Sequence, residues 1–315
     1  MNIPGRLRLI DLDAPASADT YAPIVVGLAR RRLDGQARAL VPSLDLTLTS
    51  EQPGSIAEIH VPDVDRAAAE LAAVVAANPL AAATLCGLLR STVTASVSDA
   101  LVAESLAYSM LLAGPEFARW RVGRAVRSIP STDEPAVLLA RDGDVLRITL
   151  NRFERRNAFG VAIREGLIEA FDLAATDDTI RVVHLDGSGP AFCSGGDLDE
   201  FGSTPDVATA HLIRLDRSVA RRIDAIRGKV TVHLHGACVG AGIEVPSFAG
   251  RVIARPTTVI SLPEVGMGLL PGAGGTAGIP RRIGRWRTAY LALSGTRLDV
   301  RTAAAWGLVD EVEDG

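Results

Sequence analysis

The sequence predicts an α/β core preceded by a mostly helical accessory region, on three observations. From about residue 137 onward, strand-like and helix-like segments alternate, which is the pattern of an α/β layer structure. From about Val64 to Trp120, by contrast, helical patterns follow one another behind a single strand-like stretch. Between the two, "RSIPSTDEPAV" at 127–137 combines two prolines, short polar residues and two acids, the composition of a linker. The division expected is an accessory region over 1–130 and a core over 137–315.

In chain order, "SLDLTLT" alternates like a strand, and "DVDRAAAELAAVVAANP" and "LAAATLCGLLRS" carry helical periodicity. A third helix is expected in "VSDALVAESLAYSMLLAGPEFARW", with Ser98 or Asp99 as N-cap and Gly114-Pro115 as its stop. Its apolar residues run nearly all the way round, so it should be buried against something. Nothing in residues 1–130 looks chemical. In the core, "AVLLARDGDVLRITLNR" reads as a hairpin turning at Asp142-Gly143. A helix over about Phe159–Leu173 and the strand "IRVVHLDGSG" follow. Next come a helix over about Val207–Ile226 and the strand "KVTVHLHG". Strand-like "RVIARPTTVISLPEV" then leads to helices near Thr276–Ile283 and Trp286–Ser294.

The chain has 315 residues, 48% hydrophobic and 22% charged, with net charge -4 and Lys229 as its one lysine. A mildly acidic chain without a basic tract is not built to bind nucleic acid. Its N-terminus lacks a signal-peptide apolar region, and its longest apolar stretch is broken by Glu70, Asn78 and Pro79, so a cytoplasmic protein without a membrane span is expected. Cys86, Cys193 and Cys238 are too few and too scattered for a disulfide framework or a zinc site, and no metal is expected.

Three glycine-rich turns follow strands in the core: "GSGPAFCSGGDLDEF", "GACVGAGIE" and "PGAGGT". None matches a nucleotide-binding fingerprint. Paired amides in such turns suit an oxyanion hole, where one donor contributes about 3 kcal/mol as charge develops on a carbonyl oxygen. Two glutamates, Glu244 and Glu264, stand among apolar neighbours in and after these turns. If the carbonyl is a thioester, holding its enolate lets the two carboxylates divide proton work at the adjacent carbon, each contributing about 10² to 10⁴ in rate. Burial and mutual proximity would raise their pKa values.

The segments "ITLNRFERRNAF", "AFCSGGDLDEF", "HGACVGAGIE" and "LPEVGMGLLPGAGGT" occur in that order at fitting spacings. With them, residues 137–312 resemble the enoyl-CoA hydratase/isomerase (crotonase) superfamily. The resemblance implies a crotonase-like ββα spiral core and a coenzyme A thioester substrate, with no separate cofactor. It places oxyanion-hole amides on Gly196 and Ala241 and the catalytic acids on Glu244 and Glu264. Ala158, Ser194, Gly195, Leu198, Pro271 and Gly272 border the substrate, and the helix after Pro271-Gly272 points its N-terminus at the thioester oxygen. Both acids would grip one water that adds to the β-carbon while Glu264 supplies the α-proton, which makes 2-enoyl-CoA hydration the expected activity. The alternatives are another acyl-CoA reaction, isomerisation or cofactor-independent oxygenation of an arylacetyl-CoA, or a non-catalytic acyl-CoA-binding scaffold. The family also implies a homo-oligomer, a trimer or hexamer.

The sequence departs from that family in places. Asp199 stands where many hydratases have a lysine near the coenzyme A phosphates, and Arg155 and Arg156 are candidates to compensate. Family members continue with further helix beyond the point matching "WGLVDEVEDG", and residues 99–120 are expected to cover the surface those turns would cover. The long N-terminal extension is itself similar to the dihydroxyphenylacetyl-CoA dioxygenases of the superfamily, but both hydratase-like glutamates are kept here. The cluster "RRIGRWR" is expected on a solvated or intersubunit face, His233 and His235 as hydrogen-bonding residues, and Cys193 and Ser194 as small turn residues rather than nucleophiles.

Overall fold

A computed structural model describes residues 7–14, 22–124, 134–204 and 206–313, so most of the expected linker, 127–133, lies outside the described residues. The accessory region opens with β1 (Leu7–Asp11), β2 (Ile24–Ala29), α1 (Gly35–Leu40), β3 (Leu46–Thr49) and β4 (Glu58–His60). Among the described residues these strands form a parallel sheet in the order β1-β2-β3-β4. Only β3 is foreseen by alternation. Every residue of β2, "IVVGLA", is buried, because α2 (Val64–Ala77) and α3 (Pro79–Ser91) cover one face and α1 the other. A strand covered on both faces loses its period-two signature.

The break at Asn78-Pro79 bends α2 against α3 by 109°. Next, α4 (Val97–Leu112) is capped by Ser96, whose hydroxyl accepts from Asp99 N at 3.1 Å, not by Ser98 or Asp99 themselves. It buries Ala100, Leu101, Glu104, Ser105 and Leu111 against the core while leaving Leu106 and Met110 exposed. The short α5 (Pro115–Arg121) begins at the expected Gly-Pro stop. No single helix among the described residues is long and apolar enough to cross a membrane.

In the core, β5 (Val137–Asp142) and β6 (Val145–Leu150) form the antiparallel hairpin, with Gly143 at φ 59° in its turn. After α6 (Val161–Thr176) and β7 (Val182–Gly187), the expected helix over 207–226 is two, α7 (Val207–Asp216) and α8 (Val219–Ala225), since Ser218 caps a new start. Then come β8 (Val230–Leu234), β9 (Ala237–Val239), α9 (Ala241–Glu244), β10 (Arg251–Ala254), β11 (Val259–Ser261) and α10 (Gly275–Ser294). The described chain closes with β12 (Leu298–Asp299), α11 (Val300–Trp306) and β13 (Glu311–Val312). The main sheet runs β13-β10-β8-β7-β6-β5, parallel except at the hairpin, beside a smaller sheet β12-β11-β9. The break expected between two helices near 284 is a kink within α10, where Gly284 adopts φ 77°.

One buried apolar cluster runs from Ile24 of β2 through α2–α4 and α10 to Val309. Phe171, fully buried in it, contributes on the order of 1.5–3 kcal/mol. Of the arginines of "RRIGRWR", Arg282, Arg285 and Arg287 are partly buried in this packing, while Arg281 is exposed. Arg281 donates to Ala95 O, Arg282 to Ser247 O and Ala249 O, Arg285 to Pro42 O and Arg287 to Trp306 O.

Candidate active site

Strand β9 delivers the chain to Gly240, whose φ of 49° turns it into the single helical turn of α9 ending at Glu244. A Cβ at Gly240 would lie 2.3 Å from Glu264 Oε1 and 3.6 Å from Glu244 Oε1, so glycine is required on two grounds. The same measurement brings an oxygen of each carboxylate to the space beside Gly240. Both are buried, at 2% exposure for Glu244 and 9% for Glu264. Glu244 Oε2 accepts from Ala273 N at 2.7 Å and Gly275 N at 3.0 Å. Glu264 Oε2 is buried without a hydrogen-bond partner among the described residues.

Burial drives the Glu244 carboxyl well above its ordinary range, helped by the nearby charges of Glu264 and Glu104 and opposed by its two amide donors. Burial likewise pushes Glu264 up to about 8. A carboxyl whose pKa lies near neutral pH is present in both forms, so it donates a proton in one and accepts it in the other.

Beside the pair, the amides of Gly196 and Ala241 have no acceptor among the described residues. Gly196 is held by a bridge to Phe159, through Phe159 N to Gly195 O at 2.7 Å and Asp197 N to Phe159 O at 3.1 Å. Ala241 is the first residue of α9, where an amide has no intrahelical partner. Both face a cavity of about 410 Å³ that also exposes Glu244, Glu264 and Gly272. A second hollow of about 280 Å³ shares Gly196 and is lined by Arg155, Arg156, Ala158, Ser194 and Leu198. The expected substrate-bordering residues therefore gather around Gly196, with two exceptions. Gly195 lines neither cavity and contributes its carbonyl to the Phe159 bridge, and Pro271 is buried against Gly275.

Asn157, unremarked in the sequence, anchors this turn. Fully buried at φ 52°, it donates to Ser188 O and Ala191 O and accepts from Arg152 N. The neighbouring Arg155, expected to offset the charge of Asp199, pairs with it directly. Its Nη2 sits 2.7 Å from both Asp197 Oδ1 and Asp199 Oδ2. Arg156 is exposed at the rim of the second hollow.

The accessory region corrects the expectation that it holds nothing chemical. Leu101, Glu104, Ser105, Tyr108 and Leu112 of α4, with Phe117 of α5, form a wall of the larger cavity. Glu104, 2% exposed, accepts from Gly274 N at 2.7 Å, Thr276 N at 2.8 Å and Thr276 Oγ1 at 2.7 Å. Burial raises its carboxyl to about 7, the Thr276 and Gly274 donors and the Arg214 charge working against that rise. The first amides of α10 are thus taken by Glu244 and Glu104 and are not open to a thioester oxygen. Glu104 carries the signal that singled out Glu244, a lone carboxylate in an apolar stretch ("ALVAESLAYSML"). Opposite α4, Arg214 of α7 donates to Ser105 Oγ and O and lies 4.9 Å from the Tyr108 ring centre.

His233 bonds His184 at 2.9 Å and His235 bonds Gly189 O at 3.1 Å, both as hydrogen-bonding residues. The described residues hold no cluster suited to a metal ion, and all three cysteines are free and buried.

A family model described as enoyl-CoA hydratase/isomerase matches residues 140–314. The chain is 32% identical over 176 residues to the 2,3-dehydroadipyl-CoA hydratase of Escherichia coli K12, covering 56% of this chain and 68% of that one. To the 1,2-epoxyphenylacetyl-CoA isomerase of the same organism it is 34% identical over 175 residues, covering 54% and 66%. Among solved structures, the enoyl-CoA hydratase from Thermoplasma volcanium GSS1 superposes with a TM-score of 0.52 at 36% identity, covering 58% of this chain and 73% of that one. The chain spans about two thirds of the length of these curated relatives.

Proposed function

The chain belongs to the enoyl-CoA hydratase/isomerase family, and on that premise we propose that it hydrates a 2-enoyl-CoA thioester. The observation that carries this reading is the convergence of Glu244 and Glu264 on Gly240, next to two amides without acceptors. The thioester oxygen accepts from Gly196 N and Ala241 N, which stabilise the enolate by about 3 kcal/mol each. Glu244 and Glu264 hold one water between them. Its oxygen adds to the β-carbon as a carboxylate removes its proton, and Glu264 delivers a proton to the α-carbon. The proximity of the pair suits that division, since the charge of one buried carboxylate favours the protonated form of the other. The acyl group occupies the cavity walled by α4, and the coenzyme A moiety leaves past Gly196 through the second hollow. No cofactor enters this scheme.

A second reading is favoured by one asymmetry. Glu244 Oε2 is committed to two amides, whereas Glu264 Oε2 has no partner among the described residues. A single mobile proton on Glu264 suffices for double-bond isomerisation, moving from the γ- to the α-carbon without water.

Turnover of a 2-enoyl-CoA and a 3-enoyl-CoA in H₂¹⁸O separates the two. Hydration places ¹⁸O on the β-carbon of the product, as mass spectrometry would detect. Interconversion of the two substrates without label would establish isomerisation and overturn the hydratase reading.

A further inference from the structure

Four consecutive amides at the start of α10 are divided alternately between two buried carboxylates from different parts of the chain. Ala273 and Gly275 donate to Glu244 of α9, and Gly274 and Thr276 donate to Glu104 of α4. The amides that open a helix have no intrahelical acceptors and favour a negative partner, so either carboxylate alone could settle on any neighbouring pair. With Gly274 and Thr276 occupied, and Thr276 Oγ1 holding Glu104 in place at 2.7 Å, Glu244 keeps only the alternate pair. Both of its amide bonds fall on Oε2, which leaves Oε1 on the side where Glu264 Oε1 also approaches Gly240.

We propose that Glu104 is a positioning residue for Glu244, fixing the roll of that carboxylate so that Oε1 faces Glu264. The accessory region thereby sets the geometry of the proton-handling pair although it precedes the part of the chain that matches the family. Glu104 also acts through its charge, being one of the groups that raise both Glu244 and Glu264. The other ionisable groups of this cluster are Tyr108 on the same helix and Arg214 of α7, whose charge opposes the rise at Glu104.

The catalytic consequence rests on the acyl-CoA reading above, but the geometry can be tested without it. In Glu104→Gln the side chain keeps its size but turns an NH₂ group toward amide donors. Carboxyl ¹³C NMR titration, with Glu244 assigned through Glu244→Gln, is expected to show the Glu244 titration moving to lower pH. On any enoyl-CoA the wild type accepts, kcat is expected to fall about tenfold per folded molecule, with KM changed less than about threefold. A purely structural role would lower thermal stability and leave the Glu244 titration and kcat at wild-type values, and that result would overturn the proposal. Should Glu104→Gln not fold, Glu104→Asp, which retains charge but shortens the reach to Gly274 and Thr276, is read by the same kcat criterion. A wild type inert on all enoyl-CoAs would refute the functional reading alone, with the titration still deciding the role of Glu104.

Discussion

Tyr108 occupies the space that a side chain at residue 272 would need: a Cβ on Gly272 would sit 2.3 Å from Tyr108 Cδ2 and 2.4 Å from Cε2. A helix of the accessory region is therefore seated on the loop that leads into α10, and the glycine in "PGAGGT" is kept for this contact as much as for the turn. Gly272→Ala is expected to destabilise the protein by about 1–3 kcal/mol through overpacking. Urea denaturation checks this, and Tyr108→Ala should restore part of the loss in the Gly272→Ala background.

Glu264 lines the cavity with one buried oxygen lacking a partner among the described residues, and its proton is central to both functional readings. Glu264→Gln is expected to lower turnover by about 10² to 10⁴. Calorimetric titration with a saturated acyl-CoA, run beside the kinetics, should show a much smaller change in affinity.

The pH dependence of stability follows from the same carboxyls. Glu264 titrates near 8 and Glu104 near 7 in the folded protein, against an ordinary 4.5. Between those values the folded state holds protons that the unfolded state has released, so stability falls as pH rises from about 4.5 toward 8. The slope is about 1.4 kcal/mol per pH unit for each proton so held. Urea denaturation at pH 5, 6, 7 and 8 measures it, and Glu264→Gln should lower the slope by one proton's share while Glu104 and Glu244 keep theirs.

Arg155 is held between Asp197 and Asp199, whose side chains are only 8% and 5% exposed. Arg155→Met would remove the guanidinium that both buried carboxylates share, at a cost of about 3–5 kcal/mol. Equilibrium denaturation tests this, and Asp199→Asn should recover part of the loss. A structural loop of this kind explains how the chain carries an aspartate at 199.

The parts legible in the sequence are those whose signal is local. The hairpin at Asp142-Gly143, the bend at Asn78-Pro79 and the glycine turns around Gly196 and Gly240 each declare themselves within a few residues. Local composition is silent where burial erases periodicity, as in β2, and where partners are remote. Arg285 finds Pro42 O and Trp286 finds Leu44 O from more than 240 positions away, so part of a run that looks solvated is packed. Glu104 was legible by the reasoning applied to Glu244, but no glycine turn surrounds it and its acceptor role depends on amides 170 residues later. The cap of α4 lies two or three residues before Ser98 or Asp99 because "SVSDA" offers Ser96, Ser98 and Asp99 together, and only the fold selects Ser96.

Trp286 bears on how the chain is made. Its ring packs into the second apolar cluster of the accessory sheet, beside residues such as Val25 and Leu44, and its indole N–H reaches Leu44 O across 242 residues. A ribosome releasing this protein from the N-terminus exposes that sheet long before the tryptophan that finishes it emerges. The native packing of the accessory sheet is thus complete only once a residue from the far end of the core has joined it.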